Sequence, residues 1–163
     1  MNKPIEIVNG DCIQLRPLEL GDLSYTLEWR NRAEARVWFK HSAALTLEQH
    51  RAWYESYLNR NDDMVWIAWV DGRRVGQVSA YDIRSKEKIA EVGRFLVAPE
   101  AAGHGFIFRA CTLLIKHCRE NLQLNRIYLE VLAGNQRAIH LYNSLGFAVK
   151  QKEENMFHME KIL

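Results

Sequence analysis

The stretch Asn135–Phe147, NQRAIHLYNSLGF, decides how the chain is read. Asn135 has a short side chain suited to accept a hydrogen bond from the unpaired amides that open a helix. Gly146 readily takes the left-handed conformation that closes one. Between them Ala138, Leu141, Tyr142 and Leu145 fall at i, i+3, i+4 and i+7, which makes one apolar stripe. The stripe accounts for everything except the phenol. A buried tyrosine hydroxyl needs a hydrogen-bond partner, so Tyr142 is either tied to nearby backbone or kept for chemistry.

Outward from this segment the periodicity alternates between strand and helix. RIYLEVL (126–132) reads as a strand, and the stretch from Phe106 to about Asn121 reads as a helix with Ile107, Cys111, Leu114 and Cys118 along one side. LVAPEAAGHGF (96–106) joins a strand ending at Val97 to that helix through Gly103 and Gly105. Several backbone amides without helical partners converge there, a local environment that attracts phosphate. MVWIAWV (64–70), the Asp71-Gly72 turn and RRVGQVSAYDI (73–83) form a hairpin, with KIAEVGRFLV (88–97) as a third antiparallel strand. At the front, IEIVNGDCIQLRP (5–17) predicts a hairpin turning at Asn9-Gly10, its longer arm ending before Pro17. Helices are expected from about Asp22 and after Thr46, where Thr46 and Gln49 have capping-box spacing. FAVKQ (147–151) and MFHMEKI (156–162) close the chain as strands. The resulting order is βααβββαβαββ. The helix between Val97 and Arg126 can carry the chain across, making those two strands parallel in a mixed sheet.

Composition bounds the function. A chain of 163 residues reads as a single domain, 1–163, with a formal charge of +2, too small for a general affinity for nucleic acid or anionic membranes. Without an apolar run of membrane-span length or a signal-peptide core in MNKPIEIVNG, the expected location is the cytoplasm. Cys12, Cys111 and Cys118 are an odd set without C-x-x-C spacing, and Cys111 and Cys118 read as buried small hydrophobes. The histidines are scattered, and adjacent His117 and Cys118 point different ways on a helix, so no metal is expected.

VAPEAAGHGF and NQRAIHLYNSLGF, set in this order of elements, resemble the GCN5-related N-acetyltransferase (GNAT) superfamily over nearly the whole chain. The resemblance implies an α/β (α+β) fold: a mixed, mostly antiparallel central sheet flanked by about four helices, with a splayed pair of parallel strands at the cofactor cleft. It implies acetyl-CoA as co-substrate and no metal. Phe95, Leu96 and Val97 would offer backbone to the pantetheine arm and acetyl carbonyl. Gly103, His104 and Gly105 would hold the pyrophosphate, and Asn135 would contact the coenzyme. Tyr142 matches the tyrosine that protonates the leaving thiolate. The chain departs from the family pattern at Ala102, where Arg or Gln is usual, and at Ile107, where Gly or Ala is usual.

Glu91, in IAEVGRF (89–95), alternates with Gly93 and Phe95 on one side of its strand. A carboxylate there is unusual for a sheet interior and is the candidate base, acting directly or through water; a salt bridge to Arg94, Arg109 or Lys88 is the structural alternative. On the acceptor side, Trp29, Trp38 and Trp53 lie near Arg30, Asn31 and His50. This resembles bacterial acetyltransferases of the pseudaminic-acid pathway type, which modify a 4-amino group on a nucleotide-linked deoxysugar. In that reading Arg30, Trp38, His50 and Tyr81 bind the substrate, cation to diphosphate and ring to ring. His50 also shares a stripe with Leu47, Tyr54 and Leu58, the pattern of a structural histidine. The alternative acceptors are a protein N-terminus, a ribosomal protein or a polyamine. A polyamine would call for an acidic wall, whereas the first helices carry Arg30, Arg32, Arg36, Lys40 and Arg51 against Glu28, Glu34, Glu48 and Glu55. A non-catalytic CoA-binding regulatory module is the reading from another class, and a homodimer is compatible with the sequence.

Overall fold

The computed structural model describes residues 3–163. The period-two runs form β1 (Val8–Asn9), β2 (Gln14–Pro17), β3 (Asp63–Val70), β4 (Arg73–Arg84), β5 (Ile89–Val97), β6 (Arg126–Leu132), β7 (Ala148–Lys152) and β8 (Met156–Ile162). The helices are α1 (Leu23–Asn31), α2 (Ala33–Arg36), α3 (Leu47–Leu58), α4 (Phe106–Glu120) and α5 (Gln136–Ser144). One eight-stranded sheet runs β1-β2-β3-β4-β5-β6-β8-β7, antiparallel except between β5 and β6. This is the GNAT fold, with one helix more than expected: α2 is a single turn inside RNRAEAR.

The β3–β4 turn and the α3 cap follow local chemistry. Asp71 and Gly72 take φ of 50° and 73°, the paired left-handed backbone of a two-residue hairpin turn. Thr46 accepts from the Gln49 amide while the Gln49 side chain accepts from the Thr46 amide, closing the capping box. The first hairpin differs from the two-residue turn expected at Asn9-Gly10. Gly10 N–H donates to the Ile13 carbonyl, so the turn takes in Asp11 and Cys12, and β1 is only a stub. Pro17 falls inside β2 opposite Trp66, past the point where β1 ends and β2 becomes an edge, a position that does not need its missing N–H.

Val65, Trp66, Ile67 and Ala68 are consecutive and all buried, so both faces of β3 are covered. Trp66 meets the ring of His117 on α4 edge-on at 5.4 Å. Ala110, Cys111, Leu114 and Cys118 line the buried side of α4, and burial pushes both thiols up, Cys118 to about 12. They are packing groups, as the stripe predicts. Among the described residues no helix is long and apolar enough to cross a membrane, and no cluster of potential metal ligands occurs.

The feature that creates the site is how little of β5 and β6 is paired. They share register only at Ile89–Arg126, Ala90–Ile127 and Glu91–Tyr128. Beyond Glu91, β5 continues against β4 and β6 continues against β8, so the two strands part.

Candidate active site

At the point of divergence β5 carries a bulge. Ser79 pairs with Gly93 and Gln77 with Leu96, so one extra β5 residue is accommodated, and Arg94 takes φ of 52°. Two buried β4 side chains pin it. The Ser79 hydroxyl donates to the Gly93 carbonyl at 2.7 Å, and the Gln77 amide donates to the Arg94 carbonyl at 2.8 Å. The bulge corrects the expected alternation of Glu91, Gly93 and Phe95. The Arg94 guanidinium lies 4.1 Å from the centre of the Tyr81 ring, over the strand that pairs with Glu91. Phe95 instead places its ring 5.9 Å from that of Tyr142. From Val92 to Val97 the β6-facing backbone of β5 has no strand partner, which suits it to an extended ligand arm.

The loop after β5 ends in two left-handed glycines, Gly103 (φ 83°) and Gly105 (φ 72°). A Cβ on either would meet open space, so it is the backbone angle that asks for glycine. Gly105 is the N-cap of α4 and has no side chain to cap it, which leaves the first amides of a fifteen-residue helix free for a ligand. His104 stacks on Phe106 at 5.6 Å, beside these amides. The loop amides and the unpaired edge of β5 are free backbone groups, and Ala102 adds no side-chain donor to them.

Asn135 caps α5, its side chain accepting from the Ala138 amide at 3.3 Å. The helix closes at Gly146 (φ 90°), with the Phe147 amide reaching back to the Tyr142 carbonyl at 3.0 Å. These two ends turn Tyr142 toward Phe95 and Phe147, rings at 5.9 and 6.1 Å. Burial, with a smaller contribution from Cys111, pushes its phenol above the usual tyrosine range, and no hydrogen bond from a described residue offsets it. A tyrosine in that state keeps its proton at neutral pH.

Glu91 faces a different environment. Burial first, then the charge of Glu130, raise its carboxyl above the usual range, while the Tyr81 hydroxyl and Lys40 act the other way. Gly93 makes room for Tyr81: a Cβ there would lie 2.7 Å from the phenol oxygen. The salt bridges foreseen for Glu91 do not form. Arg94 pairs with buried Asp63 at 2.8 Å, and Arg109 donates to the Asp11 carbonyl. Glu130 lies on β6 one alternation beyond Tyr128, the residue in register with Glu91, so both carboxylates share a face. Lys40 contacts one oxygen of Glu130, and His158 Nδ1 lies 3.5 Å from the other. His158 Nε2 is 3.3 Å from Glu153 without hydrogen-bonding to it, which places a third carboxylate nearby.

The residues expected to bind the acceptor are divided. Tyr81 stands beside Glu91, and Trp38, 43% exposed, rests near Gly134 at the end of β6. Arg30 and His50 sit at the α1–α3 contact. His50 is buried, bonded through Nε2 to the Thr26 hydroxyl at 2.8 Å and stacked on Trp53; burial, then Arg30, hold it below the usual histidine range. Arg30 donates to the His41 carbonyl at 3.1 Å and lies over Phe39, its Nη1 buried and without a partner among the described residues. Sequence reasoning missed Glu130, Glu153, His158, Ser79 and Gln77, and counted Lys40 only among the charges of the first helices. Glu130 alone had a local signal, an acid inside the strand RIYLEVL.

The model of the Acetyltransferase (GNAT) family matches residues 24–147. The chain is 31% identical to the spermidine N(1)-acetyltransferase of Escherichia coli (strain K12) over 143 residues, 87% of this chain and 76% of that protein. It superposes on the crystal structure of spermidine N-acetyltransferase from Vibrio cholerae in complex with CoA and spermine with a TM-score of 0.85. The identity there is 22%, and 94% of this chain and 96% of that chain are covered. The acetyltransferase PseH of Campylobacter jejuni is more distant, 21% identical over 138 residues, 85% of this chain and 84% of that protein.

Proposed function

This chain belongs to the Acetyltransferase (GNAT) family, and from that premise we propose that it is a polyamine N-acetyltransferase. The observation that carries the acceptor class is the pair of carboxylates Glu91 and Glu130 on the sheet face where β5 and β6 part, with Glu153 of the β7–β8 turn approaching through His158. This is the acidic wall that a polyamine requires, and side chains of the sheet and its loops supply it rather than the first helices. The names of the relatives at 31% identity and of the superposed structure support the same class. The amino-sugar reading has less behind it: Arg30, the cation expected at a diphosphate, lies over Phe39 and donates to the His41 carbonyl, with its other terminal nitrogen buried.

Acetyl-CoA supplies the activated acetyl group, held by the backbone of Phe95, Leu96 and Val97 and by the amides around Gly103, His104 and Gly105. Glu91 removes the proton from the acceptor ammonium, a task its raised carboxyl suits. Tyr142 holds a proton for the departing thiolate. Tyr81 orients Glu91, and Ser79 and Gln77 fix the bulge that presents the β5 backbone. Asn135 acts on the coenzyme side by setting the start of α5.

The deciding experiment measures acetyl-CoA consumption with spermidine, spermine, a nucleotide-linked 4-amino sugar and short peptides. Turnover of the polyamines is expected. Turnover confined to the amino sugar or to a peptide would sink the polyamine assignment, and CoA binding without turnover of any amine would favour a regulatory module.

A further inference from the structure

Residues 32–45 cross the acceptor face as a strap. Its ends are tied by a reciprocal pair of hydrogen bonds: the Asn31 side chain donates to the Leu45 carbonyl and accepts from the Leu45 amide, both at 2.8 Å. Apart from the single turn of α2 the strap has no regular structure. Its middle is held by Arg30 on the His41 carbonyl, by Trp38 near Gly134, and by Lys40 on Glu130. Lys40 is therefore an ammonium group on a flexible stem, already lodged against a carboxylate of the proposed acceptor wall. Its side chain is 64% exposed, whereas that of Glu130 is 26% exposed.

A polyamine brings more than one ammonium. The amine to be acetylated loses its proton, but the others stay charged and need carboxylates a few bonds away. Glu130 shares a face with Glu91 and is well placed for one of them, yet Lys40 already occupies it. Building on the polyamine reading, we propose that Lys40 is an internal stand-in for the acceptor's distal ammonium, which the acceptor displaces from Glu130. Exposed ion pairs contribute little net stability, so a ligand cation can replace this one at small cost. The contact then sets acceptor affinity, and it reaches the chemistry only through the charge of Lys40 near Glu91.

The test compares wild type, Lys40→Gln, Glu130→Gln and the double variant, with spermidine and with butylamine as a single-amine control. Calorimetry gives spermidine affinity, and steady-state assays separate KM from kcat. For Lys40→Gln, spermidine KM and Kd should fall about two- to fivefold, the range of one exposed ion pair. Its CoA affinity should be unchanged and butylamine should show no gain in KM; because the Lys40 charge holds the Glu91 carboxyl down, the acid limb of kcat/KM should move to higher pH. The benefit should vanish when Glu130 is already Gln, because the two positions act through one contact. If wild type acetylates spermidine while Lys40→Gln leaves KM unchanged or raises it, the displacement idea falls and the polyamine function stands. If neither form binds or acetylates spermidine, both fall together.

Discussion

The two sides of the cleft are built from different materials. The coenzyme side is backbone and apolar packing: left-handed glycines, uncapped helix amides, a pinned strand bulge, and Tyr142 between Phe95 and Phe147. The acceptor side is polar side chains, with carboxylates from β5, β6 and the β7–β8 turn, an imidazole from β8 and an ammonium from the strap. A common cofactor can be held by groups every residue has. Selecting an acceptor takes side chains, and side chains can change without altering the fold.

The sharpest way to break that division is Tyr142→Phe, which removes one oxygen from the coenzyme side. As the proton donor, Tyr142 should be worth about a hundredfold or more in kcat, with CoA affinity within about twofold by calorimetry. Equal losses in both would make it a packing residue. Next in size, Glu91→Gln should cost about tenfold or more in kcat/KM and leave CoA affinity alone. Its pH profile carries a sign. Glu91 must be ionised to accept a proton, so activity should be lost as pH falls through its raised value, above the ordinary carboxylate range, and the glutamine variant should lack that limb. Stability should move the other way: a carboxyl raised in the fold binds its proton more readily there than in the unfolded chain, so lowering the pH through that value adds stability. A urea series against pH would show whether activity and stability part in this manner. The smallest effect is expected from Gly105→Ala. Forcing alanine to φ near 72° costs about 1 kcal/mol; the fold already holds this angle before coenzyme binds, so the loss should show in a urea series, with CoA affinity and spermidine KM barely changed. A clear shift in spermidine KM would mean the two sides are coupled.

The ways in which the sequence misled follow from the same division. Alternation along IAEVGRF put Phe95 with Glu91, but the extra residue at Arg94 broke the period, and nothing local announces a bulge stabilised from the neighbouring strand. His50 combined a helical stripe with a ligand-type side chain, and its partner Thr26 comes from another helix. Counting charge in the first two helices suggested an anionic acceptor, yet of the charges counted there only Lys40 reaches the sheet face, where it contacts Glu130.

What the sequence by itself determined is whatever is encoded within a few residues: the helix caps at Thr46 and Asn135, the Asp71-Gly72 turn, the glycines before α4, the apolar stripes, and with them the order of elements and the family. These rest on backbone angles and short-range spacing, which adjacent residues dictate. Only the tertiary structure decided where β5 and β6 part, how Ser79 and Gln77 hold the bulge, and that Glu91, Glu130, Glu153, His158 and Lys40 meet. Electrostatic interactions act through space between strands far apart in the chain, so their effect becomes legible only once the sheet has set the register that brings them side by side.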